Sequence, residues 1–193
     1  MKIINWLYLW CKWFIFLIIN QVTNLISFPL TPIFVLFVTK ENKLPKCLYW
    51  FDTFDCDLSG DPGWKEQNRP YLIEDNAFKR WVNRWRWLWR NRMYGFSYSI
   101  LSVKYVKATD TIAYTGDIDI GNCGPMAKSG SFFKTITRGN WITCFQYYRI
   151  KQYKRWPNKC TRLLIGWKLA DLNEGDVVQT FGFSPSPWMR FGD

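Results

Sequence analysis

The sequence predicts an α+β chain: a hydrophobic helical hairpin at the N-terminus, an amphipathic Trp/Arg helix, and a C-terminal antiparallel β-sheet domain. Three observations predict it. Residues 3–38 are almost continuously apolar, residues 78–92 (FKRWVNRWRWLWRNR) sort tryptophan and arginine at helical spacing, and after Ser97 short β-branched and aromatic runs alternate with turn residues. The expected segments are a membrane hairpin or re-entrant stretch at 1–39, a loop-rich connector at 40–75, and the helix with a basic β-domain at 76–193.

The apolar N-terminus consists of a 17-residue run, IINWLYLWCKWFIFLII, and a 14-residue run, LISFPLTPIFVLFV, separated by NQVTN. Each run is short for a spanning helix, and Pro29 and Pro32 interrupt the second. Two short runs around a polar turn predict a hairpin, or a wedge entering one leaflet, rather than one long span. Lys12 must reach a headgroup region or face a partner. A cleaved signal peptide fits less well, because no small-x-small cleavage site follows. Lys40, Lys43 and Lys46 flank the apolar stretch and predict a cytoplasmic location for the bulk of the chain.

The connector is punctuated by Pro62, Gly63 and Pro70, with one short helical turn predicted in LPKCLYWF. In the helix that follows, Phe78, Trp81, Val82, Trp85, Leu88 and Trp89 share an arc of about 100°. Lys79, Arg80, Asn83, Arg84, Arg86, Arg90 and Asn91 fill the other side, and Trp87 alone breaks the division. Indole and guanidinium groups both suit the boundary between water and lipid, so Trp81, Trp85, Trp89, Arg80, Arg84 and Arg90 are, with Lys12, the expected membrane-interface residues. The competing reading is a helix that covers a sheet in a soluble domain.

Strands are predicted at 97–106, 111–120, 131–138, 141–150, 162–169 and 177–183. Gly139-Asn140 marks a two-residue hairpin. The tail SPSPWMRFGD is expected to be irregular because of its alternating prolines.

Composition limits the chemistry. Histidine is absent, which removes Ser-His-Asp and Cys-His catalysis and the usual general base. The six cysteines include no CxxC pair and read as free thiols. Asp55, Asp57, Ser59, Asp61 and Glu66 fit a calcium-loop pattern with Gly60 at its sixth position. Pro62 and the poor helix former QNRPYL count against it, and a turn whose Asp and Ser side chains cap their own backbone is the preferred reading. Apart from that loop no cofactor is expected. Asp110, Asp117 and Asp119 form a second acidic group, read as strand-edge charges rather than a magnesium site. No enzyme is expected.

Formal net charge is +11, and aromatic residues make up 20% of the chain. Arg149, Lys151, Lys154, Arg155 and Lys159 crowd the C-terminal half among Tyr147, Tyr148, Tyr153, Trp156 and Trp167. Such a set suits an anionic partner, either a lipid surface or a single-stranded nucleic acid.

Several blocks carry a family resemblance: Pro32-Ile33 with Val35–Val38, Leu44-Pro45-Lys46, Tyr49-Trp50-Phe51-Asp52-Thr53, and Gly60-Asp61 with Gly63-Trp64. Trp87-Leu88-Trp89-Arg90-Asn91-Arg92, Tyr94-Gly95-Phe96, Gly166-Trp167-Lys168-Leu169 and Phe183-Ser184-Pro185-Ser186-Pro187-Trp188 continue it over most of the chain. In these the chain resembles a family of uncharacterised tailed-bacteriophage proteins, a domain of unknown function. The resemblance implies a phage origin and membrane association in an infected bacterium, and it supplies no catalytic residue. The expected function is that of an accessory protein acting by interaction at the host inner membrane, through exclusion, takeover or scaffolding. Its expected partners are anionic headgroups and a host or phage protein. The alternatives are a membrane-tethered protein that binds single-stranded nucleic acid, and a virion component.

Overall fold

The computed structural model describes residues 2–53, 56–67, 76–117, 128–168 and 177–192. In place of the expected hairpin, Lys2–Phe34 form one helix, α1, followed by a 3-10 turn at Val35–Phe37. NQVTN contains neither glycine nor proline, and two of its side chains find helix-compatible partners without a turn. Thr23 Oγ1 donates back to the Ile19 carbonyl (2.9 Å), and Asn20 Oδ1 accepts from Ser97 Oγ (2.9 Å). Pro29 and Pro32 both lie inside the helix. Pro32 lacks the N–H that would serve the Phe28 carbonyl four residues back. That carbonyl accepts instead from Trp89 Nε1 (3.0 Å) and Thr31 Oγ1 (3.2 Å). The Pro32 carbonyl, near the helix end, accepts from Trp81 Nε1 (3.1 Å).

The chain divides into two compact units, residues 18–101 and residues 1–17 with 102–193. These boundaries cut across the three segments expected from sequence.

Within residues 18–101, a 3-10 turn (Lys46–Phe51) and α2 (Pro62–Gln67) precede α3 (Ala77–Arg90) and α4 (Tyr94–Ile100). Asn76 caps α3 by accepting from the Lys79 amide (3.0 Å). Val35, Leu44, Leu58, Trp64, Trp87 and Leu88 form the core. Asp52 is buried and accepts from the Leu44 amide (2.9 Å) and the Thr53 amide (2.8 Å). Lys43 Nζ donates to the Thr53 carbonyl (2.7 Å) and the Cys56 carbonyl, so this lysine holds a loop together. Ser97–Ile100, expected in a strand, are helical. The reason is a close approach: Gly95 donates to the Asp52 carbonyl (3.0 Å), and an added Cβ there would overlap the Tyr49 carbonyl. That contact fixes the start of α4 against the 46–51 turn, whatever the propensity of SYSI.

The other unit holds β1 (Val103–Tyr105), β2 (Asp110–Gly116), β3 (Gly130–Arg138), β4 (Trp141–Gln152), β5 (Lys159–Lys168) and β6 (Val177–Arg190). All five pairings are antiparallel, in the order β1-β6-β5-β4-β3-β2. The edge strands β1 and β2 are joined by residues 106–109 alone, so the sheet is rolled on itself. Arg138 Nη2, at the end of β3, donates to the Lys104 carbonyl of β1 (3.0 Å) across the closure. A bulge at Ile136/Thr137 and Gly166 (φ +108°) supply the bend. Side chains of one parity, Phe132, Ile136, Cys144, Gln146, Tyr148 and Leu164, are buried inside. On the opposite face Phe133, Phe145, Trp167 and Phe181 receive Trp6, Trp10, Trp13 and Phe16 of α1, and Trp10 and Phe145 lie closest at 4.7 Å.

Strand β6 runs through SPSP, where irregular chain was expected. Val177–Gln179 alone pair with β1, so Pro185 and Pro187 lie where that side of β6 has no partner. Spaced two apart, both ring nitrogens face the open edge and cost no ladder bond.

Replacing Trp89 with Phe removes the donor to the Phe28 carbonyl, an expected loss of about 1 kcal/mol in denaturant unfolding. In a Pro32→Ala background, where the helix supplies its own N–H, the same change should cost little. Equal losses in both backgrounds would show that the indole does not compensate for the proline.

Candidate interaction surfaces

Helix α1 is long and apolar enough to cross a membrane, yet only 11% of its most apolar window is buried. Cys11, Gln21 and Pro29 are exposed, but most of its exposed residues are large and apolar. Among residues 1–17 these include Ile3, Ile4, Leu7, Tyr8, Phe14 and Ile15. Among residues 18–34 they include Ile18, Ile19, Val22, Leu25, Ile26 and Ile33. At 100° per residue they fill about half the circumference. The covered flank carries Asn5, Ser27 and Thr31, all buried, with Leu9, Trp13 and Val35. The covered flank is therefore mixed, and the uncovered one is the more uniformly apolar of the two. Lys12, at the margin, lays its ammonium over Phe16 (5.4 Å) and Trp167 (5.6 Å), the partner that its place in an apolar run requires.

The tryptophan stripe of α3 exists, but it does not face outward. Trp81, Trp85 and Trp89 are half-buried and stacked in series, with centroids 5.2 Å and 4.7 Å apart, and Trp89 also stacks on Phe28 at 4.2 Å. Their neighbour is α1, whose carbonyls take the Trp81 and Trp89 indole protons, while Trp85 Nε1 is buried without an acceptor among the described residues. The predicted polar face is covered as well. Asn83 and Trp87 are buried, with Trp64 Nε1 donating to Asn83 Oδ1 (2.9 Å) and Trp87 Nε1 to Thr53 Oγ1 (3.2 Å). The division read from the sequence fails because α3 is packed on two sides, by α1 and by Thr53, Leu58, Ser59 and Trp64. Arg90 is exposed and spreads over Trp64 (5.6 Å) and Trp87 (5.6 Å). Arg80 is exposed, and Arg84 is half-buried with its pKa lowered by desolvation and then by Arg80.

In the acidic loop Asp57 Oδ1 accepts from the Ser59 amide (2.8 Å) and hydroxyl, and Lys65 Nζ lies 4.0 Å away. Asp61 caps α2 by accepting from the Trp64 amide (2.7 Å). Glu66 is exposed on α2, and Asp55 lies outside the described residues. Among the described residues no three acidic or thiol groups converge on a metal position. Asp117 Oδ2 accepts from the Ser131 amide (3.2 Å), while Asp119 and Cys123 lie outside the described residues. The other five cysteines are free, and burial pushes the Cys144 thiol up to about 12, so it stays protonated near neutrality.

Asp110 is buried and accepts from Arg138 Nε (2.6 Å) and Nη2 (2.9 Å). The Arg138 guanidinium holds its carboxyl below the usual carboxylate range.

The basic residues do gather. Arg149 and Lys151 leave the same face of β4, and both are exposed. With Arg162, Leu163 and Pro185 they line an open groove of about 610 Å³. The 153–158 turn supplies Lys154 and Arg155, with Lys159 at the start of β5. Tyr153 Oη donates to the Pro187 carbonyl (2.5 Å), which brings Trp156 and Trp188 to 5.2 Å. Arg155 sits over Trp156 (5.3 Å) and Lys159 over Trp188 (5.8 Å). Among the described residues none of Arg149, Lys151, Lys154, Arg155, Lys159 or Arg162 pairs with a carboxylate. Trp188 escaped the sequence reading because its tail was expected to be irregular; only the β5–β6 register places it here.

The profile described as a family of unknown function, DUF7338, matches residues 5–192. The chain belongs to this family. The match spans α1, both units and the groove, so these are features of one DUF7338 chain rather than of an appended segment. No curated protein and no solved structure matches it.

Replacing Arg138, itself half-exposed, with Gln should cost about 1.5 kcal/mol, because Asp110 loses charge-assisted hydrogen bonds at a site that water reaches from one side. Since the folded pKa of Asp110 is depressed, its stabilising contribution is present above the unfolded value of about 3.9 and is lost as pH falls through the folded value. Acid titration of stability should therefore be shallower below about pH 4 in Asp110→Asn than in the parent protein. Identical slopes would remove the pair from the account.

Proposed function

We propose that this chain is a phage-encoded accessory protein of the host inner membrane that acts there by interaction. In this reading α1 lies along the cytoplasmic surface with its apolar flank among the acyl chains. The observation that carries the proposal is the uncovered apolar flank of α1, where isoleucine, leucine and phenylalanine side chains stand exposed. In water such a flank would be a large exposed apolar patch. Lying in the interface suits it better than crossing. The helix has 33 residues, about 50 Å of rise against about 30 Å of hydrocarbon. Residues 6–16 also pack against a sheet that carries exposed Lys and Arg, which a crossing helix would drag into lipid at about 2.5–3.5 kcal/mol each. The phage origin rests on the family resemblance. Interaction rather than chemistry is favoured by the absence of histidine and the inert Cys144 thiol.

The test is retention of the full-length protein on membranes. The wild type should pellet with vesicles, resist high salt and be released by detergent. Ile18 and Leu25 are 49% and 76% exposed, so Ile18→Glu with Leu25→Glu should leave near-UV circular dichroism unchanged. The same pair should lower retention more than roughly tenfold. A wild-type chain that stays monodisperse in the supernatant without detergent would sink the proposal.

A further inference from the structure

We infer that the groove between β4, β5 and β6 binds the phosphate diester of an anionic phospholipid, with the adjoining indole pair seated at the glycerol level. The inference rests on the membrane reading of α1 and adds the lipid chemistry to it.

Directions within the sheet unit carry it. Phe145, Tyr147, Arg149 and Lys151 alternate onto one face of β4. Trp6 and Trp10 pack on Phe145 at 6.2 Å and 4.7 Å, so the first half of α1 lies on that same face. Arg149 and Lys151 emerge from it about 13 Å and 20 Å further along the strand. The apolar flank of α1 points away from the sheet, and these two cations point the same way. A surface that takes the helix to the depth of its axis therefore meets the guanidinium and ammonium at headgroup level. The groove has the matching composition. Arg149 and Lys151 supply charge, and Leu163 and Pro185, paired across the same face, supply an apolar floor for glycerol and the first acyl carbons. Arg162, opposite Ile150 in the ladder, turns its side chain to the other face, where Nη2 donates to the hydroxyls of Ser184 (3.0 Å) and Ser186 (3.5 Å). Beside the groove, Trp156 and Trp188 are 44% and 53% exposed, with Arg155 and Lys159 over their rings. Half-exposed indoles next to cations are at home in the interfacial layer. A nucleic-acid strand would use the same charge, but it has no use for the neighbouring apolar flank.

The experiment is vesicle flotation of the full-length protein on phosphatidylcholine alone and on phosphatidylcholine with phosphatidylglycerol. Two double variants are compared. Arg149→Gln with Lys151→Gln removes the groove charges, and Lys107→Gln with Lys128→Gln removes two exposed charges elsewhere in the same unit. The expected result is that phosphatidylglycerol strengthens wild-type binding, that the groove variant loses about 30-fold of that gain, and that the control keeps most of it. Binding to phosphatidylcholine alone should be unchanged in both. Equal losses in the two variants would overturn the site, leaving only diffuse charge. So would a wild type indifferent to phosphatidylglycerol that instead binds a single-stranded oligonucleotide through Arg149 and Lys151. Absent phosphatidylcholine binding with an intact groove effect would count against α1 alone, so the two proposals fail separately.

Discussion

Two indole protons hold the second half of α1 in place. Pro32 removes the donor that the Phe28 carbonyl would have had, and Trp89 supplies it from α3; Trp81 does the same for the Pro32 carbonyl at the helix end. A carbonyl packed under another helix and left without a donor is costly, because no water reaches it. The proline and the tryptophans are thus a matched set. The prolines let α1 offer carbonyls sideways, and an indole can both donate to them and stack, as Trp89 does on Phe28. From that contact follow the orientation of α3, the burial of its Asn83–Trp87 side and the closing of the core around Leu58 and Trp64.

The sheet unit solves a different problem with the same side chains. A rolled sheet buries one face by its own closure and must still cover an aromatic outer face. The first four turns of α1 provide the cover, with Trp6, Trp10, Trp13 and Phe16 at helical spacing against Phe133, Phe145, Phe181 and Trp167. The high tryptophan content thus goes largely into packing between elements. Lys12 fits into an apolar run because Phe16 and Trp167 offer their ring faces to its ammonium.

What could be read from the sequence was local, and what could not was long-range. The β3–β4 hairpin follows from Gly139-Asn140, and the α3 stripe from its spacing. Against the hairpin expected in residues 1–39, the helix continues through Pro32 because the carbonyl that the proline leaves without a donor is served by an indole 61 residues away. Pro185 and Pro187 forbid a central strand but not a free edge, and edge position belongs to the sheet rather than to the tail. Gly95 could be noticed as a glycine, but not as the point where α4 meets the Tyr49 carbonyl. At the candidate site, period-two alternation joins Arg149 to Lys151, whereas Trp188 reaches Trp156 only through strand register.

The uncovered apolar flank of α1 bears on why so basic a chain carries so apolar a helix. An apolar flank alone would bind any bilayer, or any hydrophobic surface, without preference. Cations alone would bind any polyanion, and salt would release them. Set on one face of one sheet, the two requirements must be met together, by a surface that is apolar at depth and anionic at its rim. Anionic lipid meets both, while nucleic acid and neutral lipid each meet one. Selectivity of this kind needs no enclosed pocket, only a fixed distance between Phe145, where the helix docks, and Lys151, six residues along the same strand.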